Sequence, residues 1–560
     1  MSGSAPSGSP PDDGDLQRNS NAVAAGILLS RIAGLVREIV TARFLGTGVG
    51  AEAFRAALRV PNLMQNLLGE GVLSASFIPV YSRLIARGRQ EDAARLVTGI
   101  ASLLLVVVAV IVTATVVFAR PITRLLAWGF VPGTARFETT VTLVRIMTPG
   151  VGLLVFSALC LAVLNSHRRF FLAYVAPVLW NAAIVAAVVA AALMHMTETG
   201  LAQAMGWGAL AGSGAQALVQ VPLMLRLAGP LRWQLPWRQL HVRLVVRRFG
   251  QVVVGRGGVQ LAGYVDLLAA SLLAFGAVAA LGYAQVLYLL PISVFGISVA
   301  ASELPTLSTL DHADQQRVRR RLNRGLSRVT FFVVPTMVCY LMLGDAVVAT
   351  LLGGGRFGPD DAIQVGVILA VYSIGLLAST NSRLLQSVLY GIGDARRPAV
   401  YALVRVFTAG IVGVAAMLPL DAVEITAAGF RVVGDIHWAV APLGERAAEA
   451  NLLRMGAAGL AFGSVIGAWL EFALLRRRVI GLFGPVLMFG RQFGLVAVAA
   501  ASSVATALLV RWWATTVTLP WRATGLLGVA ACGLMYLAMA SLLGVDEVRR
   551  IVRGASDSSE

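Results

Sequence analysis

The sequence predicts an all-α polytopic membrane protein with about fourteen transmembrane helices built on a duplicated unit. Three observations predict it. Of 560 residues, 57% are hydrophobic and only 13% charged, and the mean hydropathy is +0.78, values unsuited to a soluble chain of this length. Apolar runs such as Leu103 to Ala119, Ile146 to Leu164, Phe493 to Val510 and Ala523 to Val545 are long enough to cross a bilayer as helices. Finally, Arg31-Ile-Ala-Gly-Leu-Val-Arg37 returns as Gln260-Leu-Ala-Gly-Tyr-Val-Asp266, and Ser74 to Ser82 returns as Ala300 to Ser308, in the same order in each half. Duplicated membrane units are usually transporters.

From the start of the chain, residues 1–19 are rich in Ser, Gly, Pro and Asp and read as a disordered cytoplasmic tail. Beyond it, basic residues cluster at Arg83 to Arg95, Arg168 and Arg169, Arg226 to Arg248, Arg317 to Arg328, Arg396 and Arg397, Arg476 to Arg491, and Arg549 to Arg553. These clusters fall in alternate loops. The intervening loops, such as Met196 to Gly200 and Leu273 to Gly282, carry few or no cations. The positive-inside rule then places the arginine loops and both termini in the cytoplasm. The formal charge of +18 is mostly topology, and no nucleic acid is expected as a partner, because the basic runs form no single module with interleaved aromatics.

Cys160, Cys339 and Cys532 are far apart in apolar runs and read as small buried hydrophobes. His167, His195, His241, His312 and His437 show no metal-ligand spacing. Gly353-Gly-Gly-Arg356 is a turn that lacks a phosphate-loop lysine, which argues against an ATP-driven pump.

The informative residues are those a bilayer excludes, since an ionisable group at a helix centre costs a few kcal/mol unless it faces water or a partner. In the first helix Arg31 and Glu38 lie two turns apart on nearly one face, beside Arg37. In the second, Glu52, Arg55, Arg59, Asn62 and Asn66 step by three and four residues and draw one polar stripe, which should line water. Pro61 predicts a kink in that helix. Arg43, Arg383 and Arg405 read instead as boundary arginines whose side chains reach headgroups. In the second copy of the echo, Gln260 takes the place of Arg31 and Asp266 that of Arg37. Arg256, one turn before Gln260, reads either as a compensating cation or as a boundary residue.

Several segments resemble the MurJ/MviN family of lipid II flippases: Ser30 to Gly46, Ala53-Phe with Pro61-Asn-Leu, Gly69 to Pro79, and Leu389 to Pro398. The resemblance runs from about Asn21 to Arg478. It implies the multidrug/oligosaccharidyl-lipid/polysaccharide exporter architecture, with an N-lobe over 20–240, a C-lobe over 241–480, two further helices over 481–545 that hold a lipid tail, and a cytoplasmic tail over 546–560. It also implies a cargo, the undecaprenyl-diphosphate-linked disaccharide-pentapeptide (lipid II), and no enzyme chemistry or resident cofactor. Guanidinium suits a diphosphate, because its planar donors bind phosphate oxygens bidentately.

By resemblance, Arg31 and Arg37 match essential first-helix arginines, Glu52 and Asn62 match acidic and amide positions, and Arg59 a position that is basic in close relatives. Arg31, Arg37, Arg59, Asn62 and Arg256 are therefore expected to bind the cargo, with Glu38, Glu52, Arg55, Gln65, Asp266 and Gln285 as polar cavity or coupling residues. Two departures stand out. Gln65 and Gln285-Val286 replace cations that many members carry, so that either Arg55, Arg59 and Arg256 supply the charge or the cargo differs. Asp266 matches an acid linked in some members to sodium, while sodium or proton coupling and drive by the membrane potential stay open. Leu420 to Asn451 is an outer loop longer than the family norm, expected to cap the cavity or touch a partner. The expected mechanism is alternating access by a monomer among membrane lipids. The alternatives are a paralogue exporting another lipid-linked glycan or amphiphile, and a transport-inactive scaffold that recruits cell-wall synthesis proteins.

Overall fold

The structure is a computed structural model that describes residues 13–231, 241–250, 264–297, 315–426, 429–433, 438–447, 452–486, 491–517, 519–545 and 547–548. Its helices are α1 (Asp13–Leu45), α2 (Val49–Ala57), α3 (Arg59–Leu68), α4 (Glu70–Ala86), α5 (Gln90–Val117), α6 (Ala119–Leu126), α7 (Ala135–Ser166), α8 (Phe170–Leu193), α9 (Glu198–Ala228), α10 (Val265–Ala270) and α11 (Ala277–Pro291). They continue with α12 (Gln315–Leu352), α13 (Pro359–Ile374), α14 (Leu376–Gly391), α15 (Arg396–Leu420), a hairpin of β1 (Val423–Thr426) and β2 (Gly429–Val432), α16 (Leu443–Arg446), α17 (Gly456–Phe483), α18 (Arg491–Thr516) and α19 (Trp521–Leu542).

Among the described residues, ten helices are long and apolar enough to span a membrane, or eleven if α13 and α14, bent by 46° across Gly375, make one span. That count is made of the described residues alone and does not reach the expected fourteen. Most of the segment holding Gln260 and Arg256 lies outside the described residues. The expected N-terminal tail lies largely outside the described residues, which start at Asp13 in α1.

The chain divides into two compact units, one of residues 1–38, 57–122 and 141–257, the other of 39–56, 123–140 and 258–560. Two short pieces of the N-terminal half thus belong to the unit built mainly from the C-terminal half. In the first unit, Leu73, Phe77 and Tyr81 of α4, Leu96 and Ile100 of α5, and Val155 and Leu159 of α7 share one apolar core. In the second, Phe331 and Val334 of α12 pack with Val496 of α18 and Tyr536 of α19, and the Tyr536 hydroxyl donates to the Phe331 carbonyl at 2.9 Å. The Cys532 thiol donates to the Ser503 carbonyl at 3.5 Å, and all three cysteines are free and buried.

Close helix packing depends on small residues, since lipid gives apolar side chains no net reason to leave it and backbone proximity supplies the attraction. A Cβ at Gly459, Gly463 or Gly467 of α17 would stand 2.5, 2.3 or 2.6 Å from backbone atoms of α15. A Gly463→Val variant is expected to lose about 1–3 kcal/mol through overpacking, read as a lower melting temperature in detergent. Gly481→Ala, which meets nothing within 4 Å, should leave that temperature unchanged.

Candidate functional site

In the first unit the site is built around Arg37. Its Nη1 donates to Asn181 Oδ1 of α8 at 3.1 Å, its Nη2 pairs with Glu38 Oε1 at 2.7 Å, and its Cζ lies 5.2 Å from the Trp180 ring. Asn181 is itself fixed, since Nδ2 donates to the Pro177 carbonyl at 3.1 Å. The guanidinium is thus held in one orientation while its side chain keeps 17% exposure against 7% for Glu38. That combination suits a group that must meet an anion without reorganising. Arg31, one and a half turns earlier, is exposed among exposed Leu28, Leu29 and Ile32.

The expected stripe of the second span is broken. α2 stops at Ala57 and α3 starts at Arg59, with Pro61 in its first turn. Proline has no N–H for the carbonyl four residues back, so the break falls just before it. Glu52 and Arg55 consequently belong to the second unit, whereas Arg59, Asn62 and Gln65 belong to the first. Arg59 is buried, 2% exposed, while Asn62 and Asn66 are exposed and Gln65 half-buried. The five residues do not form one continuous wet face, since Glu52 and Arg59 are buried.

Within the second unit, Glu52 closes a lock. It is 0% exposed. Oε1 accepts the Val278 amide at 3.0 Å and Oε2 accepts Arg136 Nη1 at 2.5 Å. Gly276, which precedes α11 with φ +94°, has no side chain to cap that helix, so the carboxylate of Glu52 meets its unsatisfied N–H groups and positive dipole end. Arg136 lies over Phe130 and donates its Nη2 to the Arg446 carbonyl. Arg55 stacks on Tyr283 at 4.0 Å, and the Tyr283 hydroxyl donates to the Gly46 carbonyl at 2.8 Å. Thr47 donates to Asp361 Oδ1 at 2.5 Å, and the Arg356 amide to the Arg43 carbonyl at 2.9 Å. The glycine-rich turn serves this approach: a Cβ at Gly355, φ +61°, would stand 2.2 Å from the Arg43 carbonyl oxygen.

Further into the second unit, Asp266 accepts the Ser464 hydroxyl at 2.8 Å and Gln285 donates to the Tyr372 hydroxyl at 3.1 Å. Arg405 corrects the expectation of a boundary arginine. Its Nη1 pairs at 2.9 Å with Glu471, which also accepts Gln386 Nε2 at 2.8 Å, so the guanidinium is spent on an internal partner instead of headgroups. Arg383 is exposed as expected. Arg256 and Gln260 lie outside the described residues. No group of three His, Cys, Asp or Glu able to hold a metal occurs among the described residues.

Arg136, Asn181, Trp180, Asp361, Arg405 and Glu471 were not singled out by sequence as site residues. An Asn in the apolar run 170–193 was the one visible signal. The others sit at span ends or alone, where headgroup contact is the ordinary reading.

The segment after α15 is more than a loop. Arg454 donates to the Asp421 carbonyl at 3.0 Å and pairs with Glu445 at 3.1 Å, and the Asp421 carboxylate accepts the Ala274 amide at 3.3 Å. Burial pushes the Asp421 carboxyl from 3.8 up to about 6, against the amide and Arg454, which favour its charged form. Because the folded value lies above the unfolded one, the stabilising contribution is complete below the ordinary carboxylate range and is lost as pH rises through about 6. Amides in and beside β1 should therefore exchange hydrogen more slowly near pH 5 than near pH 7.5 after correction for intrinsic rates, and Asp421→Asn should flatten that difference. For the lock, Arg136→Ala leaves Glu52 buried without its cation, a loss of about 3–5 kcal/mol. Thiol labelling of a cysteine placed at Thr47 should accelerate in that variant.

The sequence pattern of the family described as "Lipid II flippase MurJ" matches residues 41–433. The chain is 29% identical over 554 residues to a probable lipid II flippase MurJ of Rhizobium meliloti, covering 96% of each. It is 31% identical to one of Rhizobium tropici over 69% of this chain and 72% of that one, and 30% identical to the lipid II flippase MurJ of Burkholderia cenocepacia over 68% and 74%. Among solved structures, "Lipid II flippase MurJ, inward closed conformation" superposes with a TM-score of 0.71 at 18% identity over 94% of this chain and 99% of that one. A structure titled "Inward-facing conformation of a multidrug resistance MATE family transporter of the MOP superfamily" superposes with 0.59 at 15% identity over 81% and 95%. The breadth of these matches, and the family pattern extending over more than half of the sequence, establish that this chain belongs to the lipid II flippase MurJ family.

Proposed function

We propose that the protein carries lipid II, the undecaprenyl-diphosphate-linked peptidoglycan precursor, from the inner to the outer leaflet of the bacterial inner membrane. The observation that carries this reading is Arg37: a permanently charged, bidentate donor, oriented by Glu38, Asn181 and Trp180 yet still accessible, is what recognition of a diphosphate requires. No bond is made or broken. The reaction is a relocation of a charged head while the polyprenyl tail stays in lipid.

With arginine loops and both termini cytoplasmic, the Glu52 lock falls at the outer end of the protein. Release of Arg136 and Thr47 from their partners is then the opening step of alternating access. Resetting an unloaded positive site draws on the membrane potential, about 2.3 kcal/mol per charge moved through 100 mV. Any coupling cation centres on Asp266, whose carboxylate accepts the Ser464 hydroxyl.

A second reading, a different lipid-linked glycan as cargo, is favoured by Gln65 and by Gln285, whose amide is committed to Tyr372. One experiment separates the two. In a host depleted of its own flippase, this chain should restore externally accessible lipid II and growth, and Arg37→Ala should abolish both at unchanged protein level. Normal lipid II export by Arg37→Ala would overturn the assignment, and failure of the unaltered chain to export lipid II while binding another diphosphate lipid would establish the second reading.

A further inference from the structure

The segment between α15 and α17 has its polarity inside out. Of its described ionised groups, Arg431 is exposed but several others turn toward the protein: Asp421 and Arg454 are buried, Arg446 donates Nε to the Ala441 carbonyl at 2.8 Å, and Arg454 pairs with Glu445. Its large apolar side chains do the reverse, with Phe430 65%, Trp438 72% and Leu443 63% exposed, joined by Val432, Val433 and Val440. β2 is exposed along its whole length. A loop bathed in water buries such side chains and displays its charges, and an apolar surface of this kind marks contact with something less polar than water.

Its position says what that is. The segment starts at Asp421, the residue after the span α15 ends, and rejoins the span α17 at Gly456, so both of its ends are fixed at the edge of the bilayer. The helix it leaves, α15, is itself open to lipid: only 17% of its apolar window is buried, and Phe407 and Ile411 point away from the protein. Trp and Phe at a span terminus, with Arg431 between Phe430 and Val432, have the composition of membrane–water interfaces, where amphipathic rings and snorkelling cations settle at headgroup depth.

We infer that the exposed apolar side chains of residues 429–433 and 438–443 lie in the headgroup–acyl boundary of the bilayer, anchoring the segment whose Arg446 carbonyl holds Arg136. The lipid surface is the partner. This goes beyond the proposed transport function and does not depend on which side of the membrane the segment faces.

The test uses the full chain reconstituted in vesicles of zwitterionic and anionic phosphatidyl lipids, with a fluorophore on Trp438→Cys or, separately, Phe430→Cys. Both positions are exposed, so either substitution leaves the core intact, and Arg87→Cys in an exposed turn gives the aqueous reference. Lipids spin-labelled just below the headgroup should quench both hairpin sites at least about threefold more than the reference, with iodide showing the opposite order. Equal iodide access at all three sites would overturn the inference. So would protection from iodide that needs other envelope proteins added to the vesicles, since the partner would then be a protein.

Discussion

Every charged residue inside this molecule is governed by one constraint: in a bilayer an ion must be paired, capped by a dipole or left in reach of water. Glu52 meets the constraint twice over, through Arg136 and the N-terminus of α11. Glu471 meets it through Arg405 and Gln386. Arg37 meets it through Glu38 and Asn181 while its side chain keeps 17% exposure, and the proposed binding role rests on that combination of fixed orientation and access.

The same constraint explains why two short pieces of the N-terminal half are built into the second unit. Residues 39–56 and 123–140 contribute Thr47, Glu52, Arg55 and Arg136, and each satisfies a polar or aromatic group of the C-terminal half. These contacts are close and directional, so the lock has no half-open form: moving Glu52 away uncaps α11 and strands Arg136 together. The loss is steep, which makes the arrangement a latch with discrete states instead of a gradual seam. The backbone break between α2 and α3 falls at the boundary between the sequence pieces of the two units, close after Glu52 and Arg55.

Much of this was legible in the sequence, and what was not has a common cause. Hydropathy and length identify α5, α7, α9, α12, α15, α17, α18 and α19, because an apolar run of bilayer length has few other uses. Arg37, Glu38, Glu52 and the weakness near Pro61 were also visible, as polar residues at helical spacing. Their partners were not. Arg136 stands at the start of a span, where a headgroup contact is the default, and only the fold brings it to Glu52, 84 residues away. Arg405 misled for the same reason: nothing local points to Glu471, 66 residues on. The polar stripe over 52–66 failed differently. Helical spacing is a valid guide only while the helix continues, and the break before Arg59 places its two ends in different units.

The insert after α15 shows how far polarity alone can be trusted. From composition it is a long connection with charges and turn residues, and the solvated loop is the ordinary reading. Folding reverses it. Asp421, Glu445 and Arg454 are drawn in to satisfy one another and the Ala274 amide, which leaves the aromatic and aliphatic side chains outside. A hairpin folded this way is stable only against a surface that accepts apolar groups, and the bilayer edge at which both of its ends are tied is that surface. The carbonyl that receives Arg136 is then held by the membrane as well as by the fold, so the rigidity of the lock depends partly on lipid.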